Sequence, residues 1–153
     1  MATNAQRTLV LVKPDGVQRG LVGEIISRLE RRGLKLVGMK LMQMDKALAD
    51  QHYSAHTTKG FYPGLLAFMT SRPIVAMVWE GKGAVDQVRQ TMGATDPAKA
   101  APGSVRGDLG IDIGRNLIHG SDSPEAAERE VGLFFKKGEV LDYTRETDRW
   151  ITE

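Results

Sequence analysis

Ile74 to Trp79 reads Ile-Val-Ala-Met-Val-Trp, an apolar run with no polar alternation. A strand with one solvated face alternates apolar and polar side chains, so a short unbroken run marks a strand covered on both faces. Thr8 to Lys13 (Thr-Leu-Val-Leu-Val-Lys) repeats the pattern and ends in the turn signal Pro14-Asp15-Gly16. Cover for such strands comes from helices, which makes a layered structure the expectation. The run at Ile74 is the longest apolar stretch and falls far short of the ~20 residues of a membrane span.

The segments between these strands have helical spacing. Leu21, Val22, Ile25, Ile26 and Leu29 share one face, with Glu24, Arg28 and Arg31 opposite, and Gly33 closes the helix. Leu34 to Met44 reads as a second strand whose phase slips around Leu36 and Val37. Asp45 can cap a short helix toward Tyr53, and Leu65, Leu66, Phe68 and Met69 suggest another before Pro73. Val85, Val88 and Met92 mark a helix between Gly81 and Gly93. From Thr95 to Arg115 the pattern dissolves into Pro97, Pro102 and glycines, a loop long enough to be functional. Asn116 to His119 is a brief strand, and Ser123-Pro124-Glu125 opens a helix that buries Ala127, Val131, Phe134 and Phe135. Strands interleaved with helices, and few of them, suit an α+β chain with a ferredoxin-like β-α-β-β-α-β core. Residues 1–153 are read as a single domain.

Composition removes several classes of function. The 153 residues contain no cysteine, which excludes disulfides, thiol nucleophiles and thiolate metal sites. Lys plus Arg number 21 against 19 Asp plus Glu, so the net charge is only +2 and no dedicated nucleic-acid binding is expected. Residues 1–7 have no apolar h-region, and a cytoplasmic location is the expectation. His52 and His56 stand four apart, but the intervening residues lack the Glu of a His-Glu-x-x-His zinc motif, so no protein-ligated metal is expected.

The octapeptide Asn116-Leu-Ile-His119-Gly-Ser121-Asp-Ser123 is the most informative segment. An imidazole at a strand end is followed by Gly120, which leaves space for a substrate, then by hydroxyls and a helix start that favours negative charge. A phosphoryl group could sit on or beside a neutral imidazole there, whose ordinary pKa is ~6.5. The plainer alternative is a histidine that caps or packs. Lys13 ends the first strand, and Arg89, Arg106 and Arg115 lie on or around the long loop; guanidinium forks and a strand-end ammonium match phosphate oxygens. The plainer reading of each is a solvated charge. Neither a Walker A sequence nor Gly-x-Gly-x-x-Gly occurs. Tyr53, Phe61 and Tyr62 offer a ring to stack on a base or simply core packing.

Asn116 to Ser123 resembles the active-site signature of nucleoside diphosphate kinases, Asn-x-x-His-Gly-Ser-Asp-Ser. Thr8 to Gly16, Val75 to Gly81, Pro102 to Asp108 and Trp150-Ile151 resemble the same family in the same order, so the likeness runs from Thr8 to Glu153. It implies ping-pong transfer of a γ-phosphoryl group from a nucleoside triphosphate such as ATP, through a phosphohistidine on His119, to a nucleoside diphosphate. Carried over by position, Lys13 and Asn116 would contact terminal phosphates and ribose. Arg89, Thr95 and Arg106 would hold the β-phosphate side, and Tyr53 and His56 would line the phosphate path. Phe61 would stack on the base beside Leu65 and Ile113, while Ser121 and Glu130 would position the imidazole. The resemblance further implies Mg2+ carried by the nucleotide phosphates, a long nucleotide-site loop, and a homohexamer or homotetramer of ferredoxin-like units. Two departures stand out: Lys59-Gly60-Phe61-Tyr62 replaces Arg-Pro-Phe-Phe, and Trp150-Ile151-Thr152-Glu153 replaces Trp-Ile-Tyr-Glu. A nucleotide- or nucleic-acid-binding regulatory module on the same scaffold is the alternative, and the complete residue set argues against it.

Overall fold

A computed structural model describes residues 5–153; residues 1–4, part of the expected domain and of the stretch read for a signal sequence, lie outside the described residues. Strand β1 (Gln6–Val12) lies between β3 (Ile74–Gly81) and β4 (Ile118–Gly120), and β2 (Lys35–Met42) flanks β3. The order is β2-β3-β1-β4 and every pairing is antiparallel. Each strand-helix-strand unit therefore straddles a strand of the other, which is the ferredoxin-like arrangement. The helices are α1 (Pro14–Gln18), α2 (Val22–Arg31), α3 (Lys46–His52), α4 (Tyr62–Met69), α5 (Ala84–Met92), α6 (Val105–Leu109) and α7 (Pro124–Phe134). None of them is long and apolar enough to cross a membrane.

The central strands explain their own composition. Val10 and Val12 of β1, with Val75, Met77 and Trp79 of β3, pack against Ile25 and Leu29 of α2 and Val88 and Met92 of α5. The alternate residues Leu9, Leu11, Ile74, Ala76 and Val78 face Ala49, Met69, Phe134 and Phe135. Both faces are covered, so neither strand can alternate with polar residues.

Local chemistry corrects several boundaries. The phase slip in β2 is a β-bulge: Leu36 pairs with Trp79 and Gly38 with Val78, leaving Val37 as the extra residue. Pro14-Asp15-Gly16 is the first turn of α1 rather than a plain turn, because a proline just inside a helix starts it at no hydrogen-bond cost. The Thr95–Arg115 stretch is not structureless. It holds α6, capped by Ser104 accepting from the Gly107 amide, and 3-10 turns at Pro97–Lys99 and Ile113–Arg115. Elements of three to five residues are too short to show periodicity, so the stretch reads as loop. The last strand begins at Ile118 because Asn116 and Leu117 form a tight turn instead.

Candidate active site

Two cross-strand facts place His119. It sits on β4 opposite Leu11, so its side chain shares the sheet face covered by α3 and α7. On that face α7 presents Glu130, buried to 5% exposure. His119 Nε2 donates to Glu130 Oε1 at 2.8 Å, and the Ser121 hydroxyl donates to the same oxygen at 2.8 Å. Ser121 is fixed in turn by the Leu9 amide, which donates to its Oγ at 3.3 Å. Burial pushes the Glu130 carboxyl up, but the bonds from His119 and Ser121 outweigh it and leave the group below its ordinary value. With Glu130 on Nε2–H, Nδ1 is the ring nitrogen left without this partner, on a side chain 21% exposed.

Gly120 has a different purpose from the one expected. A Cβ there would meet Met92 Sδ at 2.5 Å and Val88 Cγ1 at 2.8 Å, so the glycine lets α5 lie against β4 rather than opening room for substrate.

A second group of predicted residues forms the cationic wall. Lys13 Nζ donates to Asn116 Oδ1 at 2.8 Å, and Asn116 Nδ2 donates to the Thr95 carbonyl at 3.0 Å. Burial, with the Arg106 charge adding and Asp15 opposing, lowers the Lys13 ammonium to about 8. Arg106 is buried and donates to the carbonyls of Asn116 (3.1 Å), Gly93 (3.2 Å) and Ile118 (2.6 Å). Burial and then Arg89 lower it to about 10, still charged at neutral pH. Arg106 thus braces the loop as well as charging it. Arg89 is exposed and donates to the Gly120 carbonyl at 3.2 Å, directly beside His119 in sequence.

The base-side residues form a third set. Phe61 and Ile113 are each 56% exposed, as a stacking surface requires, while Leu65 is half-buried against the core. The His56 ring lies 5.5 Å from Phe61, and Lys59 Nζ lies 3.0 Å from His56 Nδ1. Among the described residues, no ring contact or hydrogen bond joins this set to His119. The Arg115 guanidinium covers Phe68 of α4 at 4.2 Å and so docks the loop's end on that helix. Tyr53 packs its ring edge-on to His52 at 4.5 Å, and burial pushes its hydroxyl up, so it stays protonated. In the departure segment, Tyr62 uses its extra hydroxyl to donate to Asp50 at 2.7 Å, tying α4 to α3.

Three residues of the site escaped sequence reading. His52 is 5% exposed, with its ring 4.8 Å from His119 and edge-on to it, and neither ring nitrogen has a hydrogen-bond partner among the described residues. In the sequence it stands out for its spacing to His56, which gives no hint of His119. His52, His119 and Glu130 bring donor atoms within 4.8 Å of one another, and Glu130 Oε1 already accepts from His119 and Ser121. Asp15 and Leu117 hold the turn before β4; the first read as a turn residue and the second as a strand residue.

The comparisons agree with this geometry. The family model described as nucleoside diphosphate kinase matches residues 6–140. A nucleoside diphosphate kinase of Carboxydothermus hydrogenoformans is 62% identical over 148 residues, covering 97% of this chain and 99% of that protein. One from Thermomicrobium roseum is 58% identical over 146 residues, covering 95% and 98%. Among solved structures, a halophilic nucleoside diphosphate kinase from Halobacterium salinarum in complex with CDP superimposes with a TM-score of 0.94. It is 56% identical, with 97% of this chain and 99% of that one covered. With His119 held against Glu130 beside a wall of phosphate-matching cations, and with identity this high over nearly its whole length, the chain belongs to the nucleoside diphosphate kinase family and is a phosphotransferase.

Proposed function

We propose that the transfer runs in two half-reactions through His119 Nδ1. The observation that supports this most is the Ser121–Glu130–His119 chain, which holds Nε2–H in place and leaves Nδ1 its lone pair. In the first half-reaction that lone pair attacks the γ-phosphorus of a nucleoside triphosphate, typically ATP. The bond from phosphorus to the β,γ-bridging oxygen breaks and its electrons leave with the nucleoside diphosphate. In the second, a terminal oxygen of another nucleoside diphosphate attacks the phosphohistidine and the P–N electrons return to Nδ1. No strong base is needed, because the transition state asks mainly for alignment and charge neutralisation.

Lys13, Arg89 and Arg106 supply that charge, with Thr95 beside the β-phosphate. Asn116, tied to both Lys13 and Thr95, holds the ribose. Tyr53 and His56 line the phosphate path, and Phe61 stacks on the base with Leu65 and Ile113 nearby. Stacking reads no base edge, which suits acceptance of many nucleotides; the Halobacterium salinarum relative's complex with CDP supports a diphosphate here. The donor set also bears on magnesium. Glu130 is engaged by His119 and Ser121, and Asp15 by Leu117, so the cleft is cationic and complements a polyphosphate that brings Mg2+ with it. The ion's contribution is to spread phosphate charge. A homohexamer or homotetramer working in the cytoplasm completes the reading.

The test is to mix the protein with magnesium and γ-labelled ATP without acceptor. Acid-labile, alkali-stable label that GDP then converts to GTP is the expected result, and His119→Gln should take up none while remaining folded. Nucleotide binding without label would instead favour a regulatory module.

A further inference from the structure

Leu117 is fully buried and has φ of 74°, the only positive φ outside glycine among the described residues. The Ile118 amide donates to the Asn116 carbonyl at 2.8 Å, closing a three-residue turn over it. A γ-turn with positive φ on a bulky residue is rare and strained, and it persists only where the surroundings hold it. The strain lies between two residues of the site, Asn116 before it and His119 two positions after it.

The clamps on this turn come from two elements. Arg106 of α6 takes the Asn116 and Ile118 carbonyls. From the other side, the Lys13 amide donates to the Leu117 carbonyl at 2.9 Å, and the Leu117 amide donates to Asp15 Oδ2 at 3.0 Å. Asp15 is the half-buried first-turn acid of α1, and its second oxygen has no hydrogen-bond partner among the described residues. Its one hydrogen bond there is thus the Leu117 amide. Its charge opposes the lowering of both the Lys13 and the Arg106 groups.

We propose that Asp15 is a positioning residue of the transfer reaction: its carboxylate pins the strained Leu117 turn that sets Asn116 and His119, and is the counter-charge that Lys13 and Arg106 share. The proposal rests on the reading of His119 as nucleophile. Arg106 faces Lys13 from α6, with Arg89 of α5 acting on Arg106 in turn, and the His52 ring of α3 is a further titratable group in Lys13's field. Removing the carboxylate takes away the anion that supports the Lys13 charge and leaves the neighbouring Arg106 opposing it.

Two substitutions separate the roles. In Asp15→Asn a carbonyl oxygen still accepts from the Leu117 amide but the charge is gone. In Asp15→Ala both are lost. With γ-labelled ATP and no acceptor, Asp15→Ala should phosphorylate His119 at least tenfold more slowly in a single turnover. Asp15→Asn should be slowed less than Asp15→Ala and should move the basic limb of kcat/KM to lower pH, which a purely structural role would not do. Wild-type label uptake by Asp15→Ala, or an unmoved basic limb in Asp15→Asn, would overturn the proposal. If Asp15→Ala does not fold, the Asp15→Asn profile decides alone. Failure of the wild-type protein to take up label would overturn the His119 reading itself, and with it this one.

Discussion

Lys13 shows how burial tunes one residue. Held at about 8, its ammonium is charged below that pH and neutral above it, so its contribution to phosphate binding is lost as pH rises. We expect kcat/KM to break downward near pH 8, and Lys13→Arg to lose that break because a guanidinium stays charged. A profile measured from pH 6 to 10 for both proteins checks this. His52 is the converse case. Burial, helped by the neighbouring His119, lowers its imidazole to about 3, whereas the unfolded chain protonates it near ~6.5. Between those values the unfolded state binds more protons, so stability falls as pH falls. His52→Phe, a ring for a ring between Tyr53 and Phe134, should flatten that slope in urea midpoints measured from pH 7 to 5. Neither shift was legible in the sequence, because both depend on which elements close over the residue.

At the scale of elements, β4 is positioned by close contact as much as by hydrogen bonds. It pairs with β1 through only three residues, Ile118 to Gly120, and α5 rests on Gly120. Gly120→Ala forces Val88 and Met92 aside and should cost about 1–3 kcal/mol, read as a lower Tm and a slower phosphorylation of His119. The octapeptide made the chemistry of this element legible, yet its reason for a glycine came from helix packing. The helices around it differ in how openly the sequence displays them. Long α2 and α7 show a periodic face and caps, and Ser123 accepts from the Ala126 amide as its position suggested. Short α1 and α6 show no periodic face, since five residues complete barely more than one turn, although Ser104 caps α6 and Pro14 opens α1.

For the whole molecule, the sheet's two faces are filled and its edges are not. β2 pairs only with β3, and Met39 and Leu41 on it are 52% and 68% exposed. The C-terminal segment meets part of this edge, where the Leu141 amide donates to the Val37 carbonyl at 2.9 Å, but the exposed apolar side chains still make the strand a template for another chain. We expect light scattering to give a multiple of the 16.8 kDa chain mass, and the Tm to fall on dilution, as linkage to assembly demands. Leu41→Lys should shift the mass toward smaller species; an unchanged mass would exclude this edge from the assembly.

What the sequence by itself determined was local and periodic: two strands buried on both faces, the amphipathic helices, the bulge felt as a phase slip in β2, and a histidine motif specific enough to carry a family. These survive in one dimension because burial and period are written in neighbouring residues. Only the tertiary structure decided that His119 and Ser121 share one oxygen of Glu130, that Asp15 and Arg106 clamp the turn at Leu117 from opposite sides, and that the His52 ring lies against His119. Each of these joins residues far apart in the chain, and their energies arise from exclusion of water and from distances that no segment sets alone.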